Sequence, residues 1–252
     1  MLSVSTCTDI PGFKDSDGDS CATIAGAGNC KAAAEYAVNG VDANQACCGC
    51  RLVTDAVGSW AGELGILTGA ELMVEAIGGT GVTDSAYNNI FPTMDNTLTY
   101  DPTHKWDSTQ WTPDAIVLLI GPNDEDASDQ VFSTAYLKML NDRASAYVSA
   151  ATKPKLINIC GGSGGWPVCS KIEAASDKFN ADAAHPGFVS HYVSITKENW
   201  KKINPGKDPS AYTEADGHYN TVGVGVLLGD ILAPIRAIMG WTCAAASTCG
   251  AA

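Results

Sequence analysis

The chain has 252 residues, of which 45% are hydrophobic, and its formal net charge is −13. This length and apolar content can build one main core with room for a small appended module. The excess of carboxylates would repel a phosphate backbone or an anionic membrane at long range, so we expect no nucleic-acid partner. Since no apolar run approaches the roughly 20 residues that a bilayer requires, we also expect no membrane span.

Residues 1–50 are predicted to form a small disulfide-rich module. Six of the ten cysteines lie there, and such a density is typical of disulfide-stapled secreted modules. A zinc site is disfavoured because Cys48-Gly49-Cys50 is too tightly spaced for two zinc ligands and no histidine precedes His104. The acidic segment 15–19 resembles the start of an EF-hand loop, but the twelfth position of such a loop, which carries a glutamate in an EF-hand, is Gly26 here. A solvated turn is therefore favoured over a calcium site.

Oxidised cysteines predict a secreted, extracellular location. Residues 1–5 lack the basic and apolar regions of a signal peptide, so we expect that the signal was removed or lies upstream of this chain. Residues 243–252 form a cysteine-containing tail. Its Cys243 and Cys249 could pair locally or with an extracellular assembly partner.

Residues 51–242 are predicted to form the main domain, because helical and short apolar extended patterns alternate along them. Helices are predicted at 52–67, 134–151, 171–182 and 221–238, with a shorter one at 31–38, and strands at 71–77, 115–120, 155–159 and 188–195. Strands separated by helices favour a parallel sheet with helices on both faces, a three-layer α/β/α sandwich. In such sheets ligands bind beyond the carboxyl ends of the strands.

Two short motifs carry the chemistry. Gly121-Pro122-Asn123-Asp124 follows a buried strand, where the Asn123 amide could stabilise a tetrahedral oxyanion; the alternative is a turn that caps the next helix. In Asp216-Gly217-His218 the carboxylate can orient the imidazole as a general base. The alternative there is a polar turn with an exposed histidine.

Residues 89–126, with Trp111-Thr112-Pro113-Asp114 leading into the strand before Asn123, resemble the SGNH hydrolases of carbohydrate esterase family two. Three further pieces agree in order along about residues 59–241. Residues 76–81 are similar to the second block of that superfamily, with Gly79 at the oxyanion-hole glycine. Cys160 and Cys169 lie where related esterases keep a strand-end cysteine pair, and residues 216–220 resemble the last block.

The resemblance implies an SGNH (flavodoxin-like) sandwich that deacetylates carbohydrate esters without a metal or organic cofactor. It implies His218 as the base, Asp216 as its orienting carboxylate, and Asn123 with the Gly79 amide as the oxyanion hole. Its partner would be a carbohydrate or an acetylated polysaccharide. Separately, segments 7–21 and 40–48 resemble cysteine-rich repeats of secreted algal and protist proteins, which supports the N-terminal module and its compartment.

The sequence departs from the family at the nucleophile. Family members open with an apolar strand that runs into Gly-Asp-Ser, and residues 51–59 contain neither piece. Family members also carry an upstream β-sandwich, in whose place this sequence has the cysteine-rich module. The family motif Gly-Thr-Asn-Asp is replaced here by Gly-Pro-Asn-Asp. Three alternatives follow: Ser20 of Gly18-Asp19-Ser20 is the nucleophile, Ser59 is, or this chain carries none. We therefore expect a secreted SGNH-type deacetylase, or an inactive scaffold with a structural or carbohydrate-binding role, or a piece of a longer protein.

Overall fold

The computed structural model describes residues 10–26, 36–39, 41, 46–47, 59–77, 79–84, 86, 88–97, 103–124, 126–161, 166–195 and 221–241, the last without the side chains of 221 and 222. The chain divides into two compact units. The first comprises Met1–Leu72 and Lys201–Gly229, and the second comprises Met73–Trp200 and Asp230–Ala252. The sequence-based limits at residues 50 and 242 stay predictions.

Helices and parallel strands alternate along the described residues. In chain order the elements are α1 (Cys21–Gly26), α2 (Trp60–Thr68), β1 (Thr80–Gly81), β2 (Asn88–Asn89), β3 (Ala115–Leu118), α3 (Asp129–Ala146), β4 (Lys155–Gly161), α4 (Cys169–Ala181), β5 (Ser190–Ile195) and α5 (Thr221–Met239). All the described strand pairs are parallel, apart from isolated bridges. The predicted α/β class with a parallel sheet is confirmed. No described helix has the length and hydropathy to cross a membrane.

The larger of the two described sheets in the second unit has the strand order β3-β4-β5, with β4 in the middle. Val117 lies opposite Ile157, and Ile157 lies opposite His191. Strand β4 is buried along nearly its whole length, which explains why apolar residues occupy both of its faces rather than alternate with exposed polar ones. Because β3 and β5 both run parallel to this middle strand, the carboxyl ends of all three strands lie at the same edge of the sheet.

Helices α3 and α4 pack against each other and contribute several of the fully buried residues of the second unit. Phe132, Tyr136 and Leu140 recur every four residues on α3, so they share one face. Ile172 and Phe179 belong to the corresponding face of α4, and all five are at most 2% exposed. Full burial of one such side chain is worth about 1.5–3 kcal/mol, so this interface is a main source of the unit's stability.

The described part of the N-terminal module is held by a disulfide between Cys21 and Cys47. These two cysteines form a small buried cluster with Ile24 and Ala46, against which Phe13 packs. The acidic segment 15–19 is a turn, in which Asp15 Oδ1 accepts hydrogen bonds from the backbone N–H groups of residues 17 and 19 at 3.1 and 2.8 Å. The expected disulfide character of this module is therefore present.

One predicted strand is wrong. Residues 71–77 form no strand, and the first strand of the described chain is the two-residue β1. Leu72, Met73 and Val74 are 41–49% exposed, and no described strand pairs with this segment. Its apolar sequence has strand propensity, but propensity alone does not form a strand without a neighbour to pair with.

The remaining elements shift at their ends, because capping residues decide where helices begin. Ser128 Oγ accepts from the Val131 N–H at 3.4 Å and starts α3 five residues before the predicted position. Ser59 Oγ accepts from the Gly62 N–H at 3.2 Å and starts α2. The N-terminal part of the predicted helix 52–67 and most of the predicted helix 31–38 lie outside the described residues.

Candidate active site

The loop after β3 turns sharply and presents two polar side chains in succession. Gly121 has φ +130°, and a Cβ there would lie 3.2–3.4 Å from Val168, Phe132 and Ile172. The chain then enters a single 3₁₀ turn, Pro122–Asp124. Backbone conformation and space thus both favour glycine at the point where the strand gives way to the loop.

Asn123 is joined to the neighbouring loop by its side chain. The residue itself is exposed, and its Nδ2 donates a 2.9 Å hydrogen bond to the Thr80 carbonyl oxygen. A carboxamide nitrogen carries two hydrogens, so this bond occupies one and leaves a second for another acceptor. The sequence placed Asn123 just beyond the end of a buried strand, and it lies there, five residues after β3 ends.

Asp124 is fully buried and makes three hydrogen bonds with the same neighbouring loop. Its Oδ2 accepts from the Val82 N–H at 2.9 Å, and its Oδ1 accepts from the Thr83 N–H at 2.8 Å and from Thr83 Oγ1 at 2.6 Å. Both carboxylate oxygens are therefore satisfied by donors from outside its own loop. Sequence reasoning assigned Asp124 no role beyond a turn, although an aspartate directly after a strand-end asparagine was the available signal.

Gly79 begins residues 79–83, here called the glycine loop, which contain the two-residue strand β1 and which Asn123 and Asp124 contact. It has φ +70°, a conformation that glycine adopts without steric cost, and its carbonyl accepts from the Asn88 N–H at 3.0 Å. The next residue, Thr80, is 9% exposed, and its Oγ1 has no hydrogen-bond partner in the described structure. Gly78 lies outside the described residues.

Ser20 caps the first helix. Its Oγ accepts from the Thr23 N–H at 3.4 Å and shares a 3.1 Å hydrogen bond with Thr23 Oγ1. Turns rather than a strand precede it, apart from one isolated antiparallel bridge between Lys14 and Ser20. Ser20 belongs to the first unit, whereas Gly79 and Asn123 belong to the second.

The proposed general base and its orienting carboxylate, His218 and Asp216, lie outside the described residues. Among the described histidines, His191 on β5 has its pKa lowered by burial and by the nearby Lys155 ammonium. Strand β5 belongs neither to the loop of Asn123 nor to residues 79–83, which Asn123 contacts. Among the described residues, no cluster of three or more His, Cys, Asp or Glu side chains could hold a metal ion. Gly79, Asn123 and Asp124 are thus the site residues that the described structure brings together.

Cys160 and Cys169 form a disulfide that links the end of β4 to the start of α4. The pairing that the family resemblance implied for these two cysteines is confirmed. Because β4 is the middle strand of the sheet, the covalent link fixes the strand end and the helix start next to each other. Because β3 and β4 are parallel, this disulfide lies at the same end of the sheet as the loop of Asn123.

The parallel α/β fold described above is shared with solved carbohydrate esterases. Solved structures similar to this chain are carbohydrate esterases. A family two carbohydrate esterase from Clostridium thermocellum, solved in complex with cellohexaose, is 19% identical with a TM-score of 0.59, over 75% of this chain and 56% of that one. A family two esterase from Cellvibrio japonicus is 16% identical with a TM-score of 0.55, over 76% and 57%.

A third similar structure is a carbohydrate esterase whose active site displays divergent catalytic and non-catalytic binding functions; it is 13% identical with a TM-score of 0.56, over 73% of this chain and 58% of that one. This chain thus spans a little over half the length of the esterases that it matches. No protein-family model matches the sequence. No curated protein matches it either.

Proposed function

We propose that the chain is a secreted carbohydrate esterase of SGNH type that removes acetyl groups from sugars. The observation that carries the proposal is the position of Asn123, whose amide is held beside the glycine loop with one hydrogen left for an acceptor. The esterase fold of its structural neighbours supports the same reading. The disulfides Cys21–Cys47 and Cys160–Cys169 support secretion, since such bonds persist in oxidising compartments.

In the proposed reaction a serine oxygen attacks the acetyl carbonyl carbon while His218 takes the serine proton. Asp216 orients the imidazole and stabilises its cation. Asn123 and the Gly79 N–H donate to the oxyanion of the tetrahedral intermediate, each such donor being worth about 3 kcal/mol. The intermediate collapses as the imidazolium of His218 protonates the departing ester oxygen, which leaves as the sugar hydroxyl and forms the acetyl-serine. A water molecule, deprotonated by His218, then attacks the acetyl-serine, and acetate leaves as the serine oxygen takes the proton back. Within this chain Ser20 and Ser59 are the candidate nucleophiles, and the alternative is that the chain carries none.

A second candidate function is carbohydrate binding without catalysis. The specific observation in its favour is that the Ser20 hydroxyl already caps α1 through Thr23, which is an ordinary structural use of serine before a helix. One structural neighbour has an active site with both catalytic and non-catalytic binding functions, and another binds cellohexaose. Under this alternative the tail cysteines Cys243 and Cys249 would serve extracellular assembly.

The deciding experiment measures acetyl release from an aryl acetate and binding of cellohexaose by the same preparations. His218→Ala tests the base, and Ser20→Asp tests the nucleophile while keeping a side chain that can cap α1. Ser59→Ala removes a helix cap of the same type at α2 and also tests the other candidate serine. Loss of hydrolysis in Ser59→Ala but not in Ser20→Asp would assign the nucleophile to Ser59.

Hydrolysis by the wild type that is lost in Ser20→Asp and His218→Ala but kept in Ser59→Ala supports the esterase with Ser20 as nucleophile. Hydrolysis that survives Ser20→Asp removes Ser20, and hydrolysis that survives His218→Ala removes the proposed base. Binding of cellohexaose without hydrolysis supports the second candidate. Absence of both overturns the two functions together.

A further inference from the structure

We propose that Asp124 is a positioning residue: its buried carboxylate fixes the backbone of residues 79–83 and thereby sets the Gly79 N–H relative to the Asn123 amide. The inference rests on the proposed function of that site. It assigns to Asp124 a role beyond holding the fold together, because the loop that it grips contains the proposed oxyanion donor.

The first step is the hydrogen bonding of the carboxylate. Val82 and Thr83 donate through two successive backbone N–H groups, one to each oxygen, and the Thr83 hydroxyl adds a third bond. Hydrogen bonds to an ionised acceptor are shorter and stronger than neutral ones, and burial strengthens them further. Two adjacent peptide N–H groups bound to two oxygens of one rigid group leave the loop little freedom to rotate.

The second step is the close approach of the loop backbone to the carboxylate. Gly81 has no room for a side chain, because a Cβ there would overlap both carboxylate oxygens of Asp124 and the Ala86 methyl group. The carboxylate therefore packs directly on the loop backbone, and its position is determined by contact as well as by hydrogen bonds.

The third step is the adjacency of Asn123 and Asp124 in the chain. Asn123 Nδ2 holds the Thr80 carbonyl, and Asp124 holds the N–H groups of Val82 and Thr83. Two neighbouring residues thus bind the loop on both sides of Gly81. A shift of the loop on Asp124 would move Thr80 together with Gly79, whose φ of +70° sets the direction of the adjoining peptide groups.

A purely structural role and a positioning role predict different results. Loss of a structural hydrogen bond lowers the free energy of unfolding and leaves turnover by the folded molecules unchanged. Loss of a positioning contact lowers kcat with little change in KM, because the oxyanion forms only in the transition state.

Asp124→Asn tests the difference, since the new amide has the shape of the carboxylate but offers one acceptor oxygen in place of two. Thr83→Val removes only the hydroxyl bond, so it is a milder variant at the same contact. Ser176→Ala is the matched control, because it removes a buried hydroxyl that donates to Ser190 Oγ at 2.7 Å in a separate network.

For an aryl acetate we expect Asp124→Asn to lower kcat on the order of 10²-fold with KM changed by less than about 2-fold. Thr83→Val should give a smaller loss in the same direction, and Ser176→Ala should keep the wild-type kcat. In NMR spectra the Gly79 backbone amide and the Asn123 side-chain amide should shift in both Asp124→Asn and Thr83→Val but not in Ser176→Ala. Wild-type kcat in both variants at the contact overturns the proposal, as do unmoved resonances.

If the wild type hydrolyses nothing, the esterase function fails. The positioning role is then still decided by the resonances of the Gly79 backbone amide and the Asn123 side-chain amide, and by the affinity for cellohexaose. Unmoved resonances then overturn the positioning role, and shifted resonances sustain it. If Asp124→Asn does not fold, Thr83→Val decides the proposal by the same measurements, because it leaves both backbone bonds to the carboxylate in place.

Discussion

The Tyr136 hydroxyl donates a 3.1 Å hydrogen bond to Asn158 Oδ1, which joins helix α3 to the middle strand β4 inside the core. Both residues are 0% exposed. Asn158 Nδ2 donates in turn to Ser190 Oγ at 2.8 Å and to the His191 carbonyl oxygen at 2.9 Å, both on β5. Burial, with a smaller contribution from Tyr192, raises the pKa of Tyr136 and keeps its hydroxyl a donor. One amide therefore links a helix and two strands.

Asn158→Ala should lower the free energy of unfolding by about 2–4 kcal/mol, since it opens a small cavity and leaves three buried polar groups without this partner. Tyr136→Phe should cost about 1–2 kcal/mol, because only one bond is lost. Urea unfolding of the two single variants and the double variant measures their coupling, which should be at least about 0.5 kcal/mol for residues in contact. Gln130→Ala on the exposed face of α3 is the control and should lie within about 0.5 kcal/mol of the wild type. Strictly additive single changes would contradict the linkage.

Glu75 predicts how stability depends on pH. Burial of its carboxyl raises the pKa from 4.5 to about 7, Arg143 opposes the rise and Asp95 adds to it. Between these two values the folded state holds a proton that the unfolded state has lost, so the free energy of unfolding falls as pH rises from about 4.5 to about 7. The residue is exposed, and screening by water makes the fall smaller than the shift alone implies.

Urea unfolding from pH 4 to pH 8 measures this dependence. Glu75→Gln should remove the downward slope in that window, because the amide does not titrate. Glu71→Gln removes one carboxylate from the same exposed segment and should retain the slope. An identical slope in the wild type and Glu75→Gln would assign the pH dependence to another group.

The strands of the central sheet were predictable because each of them is a short apolar segment that can be recognised from its own sequence. A segment such as Lys155–Gly161 carries apolar residues on both faces, and a strand covered on both sides buries them. Residues 71–77 have a similar composition but form no strand, since a strand needs a partner and composition does not supply one. Helix ends were predicted less well, because single caps such as Ser128 decide them.

The candidate site was predictable only in part, for a related reason. Asn123 stands out because an amide at a strand end has a local signature. The role of Asp124 depends on donors 41 and 42 residues away in the chain, and nothing in the sequence near it specifies that separation. Gly18-Asp19-Ser20 has the sequence of the family's Gly-Asp-Ser motif, and in the structure Ser20 caps the short helix α1. Three residues do not specify the element that precedes them, so the sequence alone does not separate a nucleophilic serine from a helix cap.

The two described disulfides should contribute differently to stability. Cys160 and Cys169 are 9 residues apart in the chain, and Cys21 and Cys47 are 26 apart. Loop-closure entropy predicts a loss of about 2.5–3 kcal/mol for the shorter loop and about 3.5 kcal/mol for the longer one when the bond is removed. Thermal unfolding of the two double Cys→Ser variants without reductant measures both losses of stability. An unchanged Tm in the Cys160→Ser, Cys169→Ser double variant would show that packing alone holds the end of β4.

Asn123→Ala should lower kcat for an aryl acetate by about 10²–10³-fold, the loss expected for one oxyanion donor. KM should change little, because the substrate carbonyl needs this donor less than the oxyanion does. The variant also loses the bond to the Thr80 carbonyl, so its unfolding free energy must be measured beside its kinetics to separate the two effects.

Pro122→Thr is the control for that variant, because it changes the neighbouring residue to the one found in the family motif and leaves both polar side chains of the loop in place. It should retain kcat within a few fold, since the proline at the start of the 3₁₀ turn contributes no donor. Equal losses in Asn123→Ala and Pro122→Thr would mean that the loop shape, and not the Asn123 amide, governs turnover. Loss in Asn123→Ala alone would place the amide at the reacting carbonyl, as its second hydrogen allows.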